Sequence, residues 1–415
     1  MLEFLSLLTL IFGAFNLVRL GILVVGVDIH DVRRARQKQT RAYSPRISVI
    51  VPAYNEETGI IRCLESLAAN TYSNFEVLVV NDGSKDHTAK RVRAFQRKTR
   101  GQFKLRLINQ ANTGKAAAIN NGVGSATGPL IMVLDADSIL APYSLAEVPQ
   151  YFHNNNVLLA ASNVKIIDDG RWLTAIQRLE YLVGYHGKKA LNTYNMEYIV
   201  GGVGSTFRKQ IFHKVNGYDT DTLTEDIDFT LKVLQRGNHK RVVGYMSTVH
   251  AYTEGVLTVR DLITQRYRWK YGRMQSFFKN RIMFFNANKR YDKRLTWYQL
   301  PYSLWSEIIF SLEPILIAYF LCLIAIYGDS RSLLGAYLVT TAFIAWNVIS
   351  DDTETMRTKL KLVPLSLLQY PMFFLLSFIE YVALIKSMAR LHTLKASLSN
   401  GHGSWEHVSR ATNLK

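Results

Sequence analysis

The stretch "ISVIVPAYNEETGIIRCLESLAANTYSNFEVLVVNDGS", residues 47–84, decides how the rest of the chain is read. A β-branched run ends in the polar turn "AYNEE"; an amphipathic segment follows, and a second apolar run ends in "NDGS". Two continuously apolar strands joined through a helix imply parallel strands covered on both faces. The pattern continues: "HTAKRVRAFQRK" reads as a helix, "LRLINQ" as a strand, "GKAAAINNGVGSA" as a helix opened by glycine, and "PLIMVLDADS" as a strand ending in acids. The centre of the chain is therefore expected to be an α/β domain. Its polar residues gather just after the strands' C-terminal ends, where open α/β sheets bind ligands. No G-x-G-x-x-G or Walker A pattern occurs, so neither standard phosphate loop is at work.

Apolar segments lie on both sides of this domain. Residues 4–27 are uncharged apart from Arg19 and long enough to cross a hydrocarbon core of about 30 Å. The opening "MLEF" lacks a basic leader and no small-residue cleavage site follows, so a retained anchor is expected rather than a signal peptide. Three more candidate spans cover 303–327, 333–350 and 362–385, with Glu307 and Glu313 in the first and Glu380 in the last. The basic cluster Arg33, Arg34, Arg36, Lys38 and Arg41 after the first span places the α/β domain in the cytoplasm. The net charge of +18, from 50 Lys+Arg against 32 Asp+Glu, is then largely residues flanking spans and facing anionic headgroups. Cys63 and Cys322 lie in different environments and form no disulfide framework, which fits a reducing compartment.

The motif that carries most chemistry is Asp135-Ala136-Asp137, delivered to the sheet edge by the strand "LIMVL". Two hard-oxygen carboxylates there suit Mg²⁺ or Mn²⁺, which commonly bridge protein to a diphosphate, although an Asx turn ending a strand looks the same. Glu56 and Asp82 close the first two strands, and Lys115 offers a countercharge for phosphate. Glu225 and Asp226, in "LTED", stand where a helix begins, and a carboxylate there can be a cap or a general base. The Gly-rich "GGVGSTFRK" can be a structural turn or can let backbone approach a ligand closely. His250 can complete a metal site or serve as the partner of a nearby carboxylate.

In the order "VPAYNEE", "NDGS", "NTGKAAAIN", "DAD", "GGVGSTFRK", "TED" and "QRYRW", these motifs resemble the membrane-embedded, processive family-2 glycosyltransferases that make chitin, hyaluronan, cellulose or poly-N-acetylglucosamine. The resemblance runs from about residue 47 to residue 269. It implies a GT-A fold: a mixed, mostly parallel sheet with flanking helices, inserted between transmembrane helices. Ala53, Tyr54, Glu56 and Asp82 would line the uridine pocket. Lys115 and Asp135 would face the diphosphate, and Asp137, with Asp135, would hold the divalent metal. Asp226, with Glu225 beside it, would be the general base. Gly202, Gly204 and Ser205 would line the acceptor site. Gln265, Arg268 and Trp269, the Q-x-x-R-W signature, would sit at the acceptor end, with Arg268 also facing the diphosphate. Gly255-Val256 stands where many relatives have Ala-Pro, so the loop ahead of the signature departs from the pattern.

The resemblance divides the chain into an anchor (1–30), a basic linker (31–45), a cytosolic catalytic domain (46–258), interfacial amphipathic helices carrying the signature (259–302), a membrane bundle of two or three crossings (303–385) and a basic tail (386–415). On the interfacial helix, Arg266, Lys270, Arg273 and Lys279 would face headgroups and anionic substrate. Three full crossings after the anchor would leave the tail outside, against its basic character, unless one segment does not cross. Residues 362–385, with Pro364, Gln369, Pro371 and Glu380, are the first suspect. "SWEHVSR" in the tail resembles a motif near the cytosolic mouth of some synthases. Tyr302, Trp305, Tyr319 and Trp346 can line a sugar channel or form interfacial belts, and Glu313-Pro314 would face the channel or another helix rather than lipid. The expected partners are a UDP-sugar donor, a growing polysaccharide, the lipid bilayer of a plasma or inner membrane and an accessory export subunit. A membrane transferase adding one sugar to a lipid shares most of these motifs. No nucleic-acid-binding pattern is present despite a pI near 9.7, and the spans show no repeat of the kind transporters carry.

Overall fold

A computed structural model of the chain describes residues 2–36, 43–101, 103–240, 242–328, 330–351 and 354–393. Helix α1 (Leu2–Arg36) precedes β1 (Ile47–Ala53), α2 (Ile60–Ala68), β2 (Phe75–Asp82), α3 (Thr88–Lys98), β3 (Lys104–Gln110), α4 (Lys115–Ser125) and β4 (Leu130–Val133). Then come β5 (Ile139–Leu140), α5 (Ser144–Phe152), β6 (Val157–Ile166), α6 (Trp172–Thr193), β7 (Ser205–Arg208), α7 (Lys209–Lys214), α8 (Glu225–Gln235) and β8 (Val242–Thr253). The C-terminal part holds α9 (Val259–Lys279), α10 (Leu300–Tyr327), α11 (Arg331–Ser350), α12 (Met356–Leu367) and α13 (Gln369–Ala389).

Eight strands form one sheet in the order β3-β2-β1-β4-β7-β6-β8-β5. Strands β3, β2, β1 and β4 are parallel, as the continuous apolar runs require. Strand β7 runs antiparallel to both β4 and β6, which makes the sheet mixed. Two buried clusters, one on each face, supply the core: Ile50, Leu78, Ile131 and Phe207 on one side, Val49, Leu64, Val77 and Met132 on the other. Every residue of β1 and β2 is buried, including the polar pair Ser48 and Glu76, which stand opposite each other in register. The Ser48 hydroxyl and the Thr127 hydroxyl and N–H all donate to Glu76, so its charge is satisfied inside the core. Because Ala53 pairs with Asn81 and Ile50 with Val133, the loops after β1, β2 and β4 emerge at one sheet edge.

Several sequence expectations change. Residues 31–36, expected as linker, continue α1, whose C-terminal half docks on α6; the rest of the linker's basic cluster lies outside the described residues. A Cβ on Gly26 would stand 2.5 Å from Tyr194, Thr193 donates to the Gly26 carbonyl at 2.8 Å, and Lys189 pairs with Asp31 at 2.9 Å. Helix α6 itself has no sequence motif and joins α1, α9 and α11 to the sheet. The span expected over 362–385 is two helices: α12 ends at Leu367 and α13 begins at Gln369. Gln177 on α6 donates to the Val256 carbonyl and accepts from its N–H, both at 2.9 Å, which holds the Gly255-Val256 loop in place. Among the described residues, Gly13–Arg36 is long and apolar enough to cross a membrane, and Tyr337–Ser350 is a shorter apolar helix.

Candidate active site

The site forms at the edge where the parallel strands end. Gly59, just before α2, abuts Asp137: a Cβ there would lie 3.0 Å from the Asp137 Cα. Asn55, with φ +55, accepts from Lys85 N–H, and the Glu56 N–H donates to Thr88 Oγ1 at 2.8 Å. The loops holding Tyr54 and Glu56 and the loop after Asp82 are thereby clamped to each other, with both side chains half-buried and Ala53 fully buried beneath them. Asp82 is also fully buried. Its carboxylate accepts from Gln110 Nε2 and from the N–H groups of Thr113 and Gly114 at 2.8–2.9 Å. It braces the turn that presents Lys115 rather than standing open to the cleft.

Lys115 begins α4 and its Nζ lies 2.7 Å from Asp135 Oδ1 and 3.3 Å from Glu225 Oε1. Burial alone would lower the lysine's pKa, but Asp135, Glu225 and Asp226 outweigh it and hold the ammonium above its ordinary value. Asp226 stands in the first turn of α8 and accepts from the Ile227 N–H at 2.8 Å. Burial is the main reason its carboxyl is pushed up to about 6; Glu225 adds to this, and Lys115 and the Ile227 N–H pull against it. A Cβ on Gly202 would lie 3.1 Å from Lys115 Nζ, 3.8 Å from Asp135 Oδ1 and 3.9 Å from Asp226 Oδ2. The three groups thus surround one point that only glycine leaves open. A cation, a carboxylate able to hold a proton near neutral pH and a pair of hard-oxygen donors can together stabilise a leaving anion and deprotonate a hydroxyl.

Gly204 and Ser205 stand differently. Gly204 has φ +67 and a Cβ on it would meet Ser162 Oγ at 2.8 Å, while Ser205 is buried in β7 opposite Val133. Both belong to the wall of the site rather than to its open face. Asp135 and Asp137 fit a divalent cation by donor chemistry, and Asp137 is half-buried at the cleft. His250 is buried with Nδ1 2.8 Å from the Tyr143 hydroxyl. Among the described residues, the group of three carboxylates with atoms within 4.8 Å of one another is instead Asp219, Asp221 and Asp228. Lys279 is their counterion: its Nζ bonds Asp219, and Asp221 and Asp228 at 2.7 and 3.0 Å.

Helix α9 packs against α8 through Gly272, where a Cβ would meet Thr224 at 2.6 Å, and the Leu223 N–H donates to Gln275 at 3.0 Å. The signature helix is thereby locked to the turn bearing Glu225 and Asp226. Gln265 is buried, and Arg268 and Trp269 are half-buried. Arg266, Lys270 and Arg273 do not face headgroups but turn onto carboxylates. Arg266 and Lys270 are buried, and Arg273 is half-buried. Arg266 pairs with Glu180 at 2.6 Å and Glu380 at 3.3 Å, Lys270 with Glu307 at 2.7 Å and Glu380 at 2.8 Å, and Arg273 with Glu307 at 2.8 Å. Tyr271 and Phe277 are buried as well, whereas Ile282, Phe285, Trp297 and Trp305, which follow α9, are exposed. Trp305 and Trp346 are exposed, at 55% and 52%. The side chain of Glu313 and the "SWEHVSR" segment lie outside the described residues.

Two site residues carry no sequence signal. Tyr185 of α6 places its hydroxyl 4.0 Å from a Cβ on Gly201, which itself would be 3.9 Å from Asp226 Oδ2. Tyr181 packs against Tyr185 with the rings tilted by 32° and centroids 5.8 Å apart. Burial pushes the Tyr181 phenol up to about 12; Arg266 opposes this, and Glu180 and Asp135 add to it. Only the long helical spacing of α6, with tyrosines four residues apart on one face, could have pointed to them.

Comparison with known proteins gives a consistent picture. Residues 48–215 match Glycosyl transferase family 2. A poly-beta-1,6-N-acetyl-D-glucosamine synthase of Staphylococcus aureus (strain COL) is 30% identical over 273 residues, 63% of this chain and 63% of that protein. The Staphylococcus epidermidis protein of the same name is 30% identical over 236 residues, 54% of each. The matches therefore span less than two thirds of these relatives' length. Among solved structures, a mannosyltransferase from Pyrobaculum calidifontis in complex with GDP-Man and Mn2+ superposes with a TM-score of 0.58 at 22% identity, covering 89% of this chain and 99% of that one. The last likeness is one of fold.

Proposed function

Given that this chain is a family-2 glycosyltransferase, we propose that it polymerises a β-linked polysaccharide from a UDP-sugar, with UDP-N-acetylglucosamine the first donor to test. The observation that carries this reading is the meeting of Lys115, Asp135 and Asp226 around the open face of Gly202. The names of the staphylococcal relatives support the choice of sugar. In the proposed reaction an acceptor hydroxyl lies against Asp226, which takes its proton as the oxygen attacks C1 of the donor sugar. The C1–O bond to the diphosphate breaks on the opposite side, so the configuration inverts and UDP leaves. Lys115 and Arg268, which has no ion-pair partner among the described residues, offset the charge of the leaving group. Mg²⁺ or Mn²⁺ held by Asp137 with Asp135 would supply further neutralisation of the diphosphate. Ala53, Tyr54 and Glu56 line the nucleoside end, Asp82 shapes it from beneath, and Gln265 and Trp269 meet the acceptor.

The same reading places α1, α10 and α11 across a membrane. Support comes from where the helices touch the catalytic domain. Lys165 and Arg178 pair with Glu354, beyond the end of α11, at 3.0 and 3.1 Å, and Arg390, beyond α13, reaches Tyr267 of α9 at 3.1 Å. Both ends of the α12–α13 hairpin thus return to the catalytic side. Its tip is shallow: the Tyr337 hydroxyl donates to the Leu367 carbonyl at 2.6 Å. Tyr337 stands about 20 Å from the Ser350 end of α11, whose full length is about 30 Å. A hairpin that turns back about 10 Å short keeps the basic tail in the cytoplasm. Ile282, Phe285, Trp297 and Trp305 would lie at the headgroup level.

The test is to incubate the purified full chain in lipid with single UDP-sugars and Mg²⁺ or Mn²⁺, then size the products. Long polymer from one donor is expected. A glycolipid carrying one added sugar, or no transfer from any donor, overturns the reading.

A further inference from the structure

We propose that Glu180 and Glu380 are positioning residues for the acceptor end of the site, acting through Arg266 on the indole of Trp269. The guanidinium of Arg266 lies 4.5 Å from the centre of the Trp269 ring; Glu180 of α6 accepts its hydrogen bond on one side at 2.6 Å, and Glu380 of α13 faces its Nε as an ion pair at 3.3 Å on the other. Its planar fork matches carboxylates and stacks on aromatic faces at once, which a lysine cannot do. Trp269 is thereby attached to two elements of different origin: a helix of the catalytic domain and a helix of the C-terminal bundle.

The rest of the cluster extends the same attachment. Lys270, one helical position along, bridges Glu380 to Glu307 of α10, and Arg273 takes the other oxygen of Glu307. Three cations on α9 meet three carboxylates, one each from α6, α10 and α13, so the cluster is neutral as a whole. Arg266 and Lys270 are buried and the other four charges half-buried, and taking such charges out of water gains little stability over apolar packing of the same volume, because desolvation offsets the attraction. What such a cluster does supply is direction: each partner accepts one geometry, and a shift of α13 against α6 is transmitted to Arg266 and from there to Trp269. An acceptor saccharide stacked on that indole would feel the position of the bundle helices. The inference rests on the reading of the chain as a sugar transferase with its acceptor at Gln265–Trp269.

The experiment uses the full chain in lipid nanodiscs and the variants Glu380→Gln, Glu180→Gln and Glu380→Asp. Trp269 emission is isolated by subtracting the spectrum of Trp269→Phe in each background. Both Gln variants are expected to shift that emission and to raise KM for an oligosaccharide acceptor by about 10- to 100-fold, the scale set by a misplacement of about 1 Å. UDP affinity stays at the parent value, and Glu380→Asp recovers part of the acceptor KM. Unchanged Trp269 emission overturns the proposal. So does a parallel loss of UDP affinity and acceptor KM with a lowered melting temperature, the mark of a merely structural cluster. If the unaltered chain elongates no saccharide, the reading of function fails by itself, and the emission arm still decides whether the two glutamates set the indole.

Discussion

Lys115 Nζ lies 2.7 Å from Asp135 Oδ1, so the cation expected to meet the diphosphate already holds a carboxylate of the same site. A second contact, to Glu225, ties it to the turn that carries Asp226. Lys115→Met should therefore have two effects. UDP affinity falls, by about 10- to 100-fold for a charge-assisted contact. Asp226 loses the cation that pulls its pKa down, so the acid limb of the rate profile moves up from about 6. Titration of UDP together with a pH–rate profile measures both, and an unmoved limb would contradict the coupling.

Asp226 titrates near 6 in the folded chain against 3.8 as a free carboxylate. Transfer that needs the deprotonated base should fall as pH drops through 6. Stability has the opposite sign: a raised carboxyl pKa contributes stability fully below pH 3.8 and loses it as pH rises through 6. Asp226→Asn should thus abolish transfer, bind UDP nearly as the parent does, and melt higher at pH 8 but not at pH 3.5. Thermal melts at the two pH values check this, and turnover near the parent rate would exclude Asp226 as the base.

Gly202 and Gly204 separate function from folding. A methyl at Gly202 would press on the Lys115 ammonium, at 3.1 Å, without touching the core. Gly202→Ala should lower kcat/KM by about 10-fold or more while the melting temperature holds. At Gly204 the backbone is left-handed and Ser162 occupies the space, so Gly204→Ala should cost about 1–3 kcal/mol of stability. Equal effects on both variants would refute the division.

Glu76 is an acid buried in the core. Burial would raise its pKa, yet Thr127, Ser48 and Arg106 together hold it down to about 2. A depressed carboxyl contributes stability above its free value of 4.5 and loses it as pH falls through 2. Glu76→Gln should destabilise the domain by about 1–3 kcal/mol at pH 7, with the gap to the parent closing toward pH 2. Urea unfolding across that range reads the difference.

The shallow α12–α13 hairpin makes a topological prediction. His392→Cys in a Cys322→Ala background should react with a membrane-impermeant maleimide only in inside-out vesicles. Reaction in right-side-out vesicles would show that the last helix crosses.

Local pattern carried much of this site. Asp135, Asp137, Lys115 and Asp226 follow apolar runs or begin helices, and such runs announce themselves within a dozen residues. The antiparallel β7 did not, because four residues of "STFR" look the same in either direction. Nor could the sequence show that Arg266 is spent on Glu180, 86 positions away, or Lys270 on Glu307, 37 positions away. A basic residue on an amphipathic helix reads as solvated until its partner is known. The same limit hid Tyr185, which reaches the site only because α6 is sandwiched between α1 and the sheet.

Lys279 shows how near this chain stands to a different dependence on its surroundings. Its ammonium is a tethered counterion, joining Asp228 of α8 to α9 and so setting the spacing between Asp226 and the signature helix. A charge carried on the chain cannot be chelated or outcompeted, so that spacing is indifferent to the calcium or magnesium level of the cell. Cut the side chain back to alanine, and Lys232 still holds Asp219, but Asp221 and Asp228 lose the cation between them. One codon separates a self-sufficient joint from one that has lost the cation at its centre.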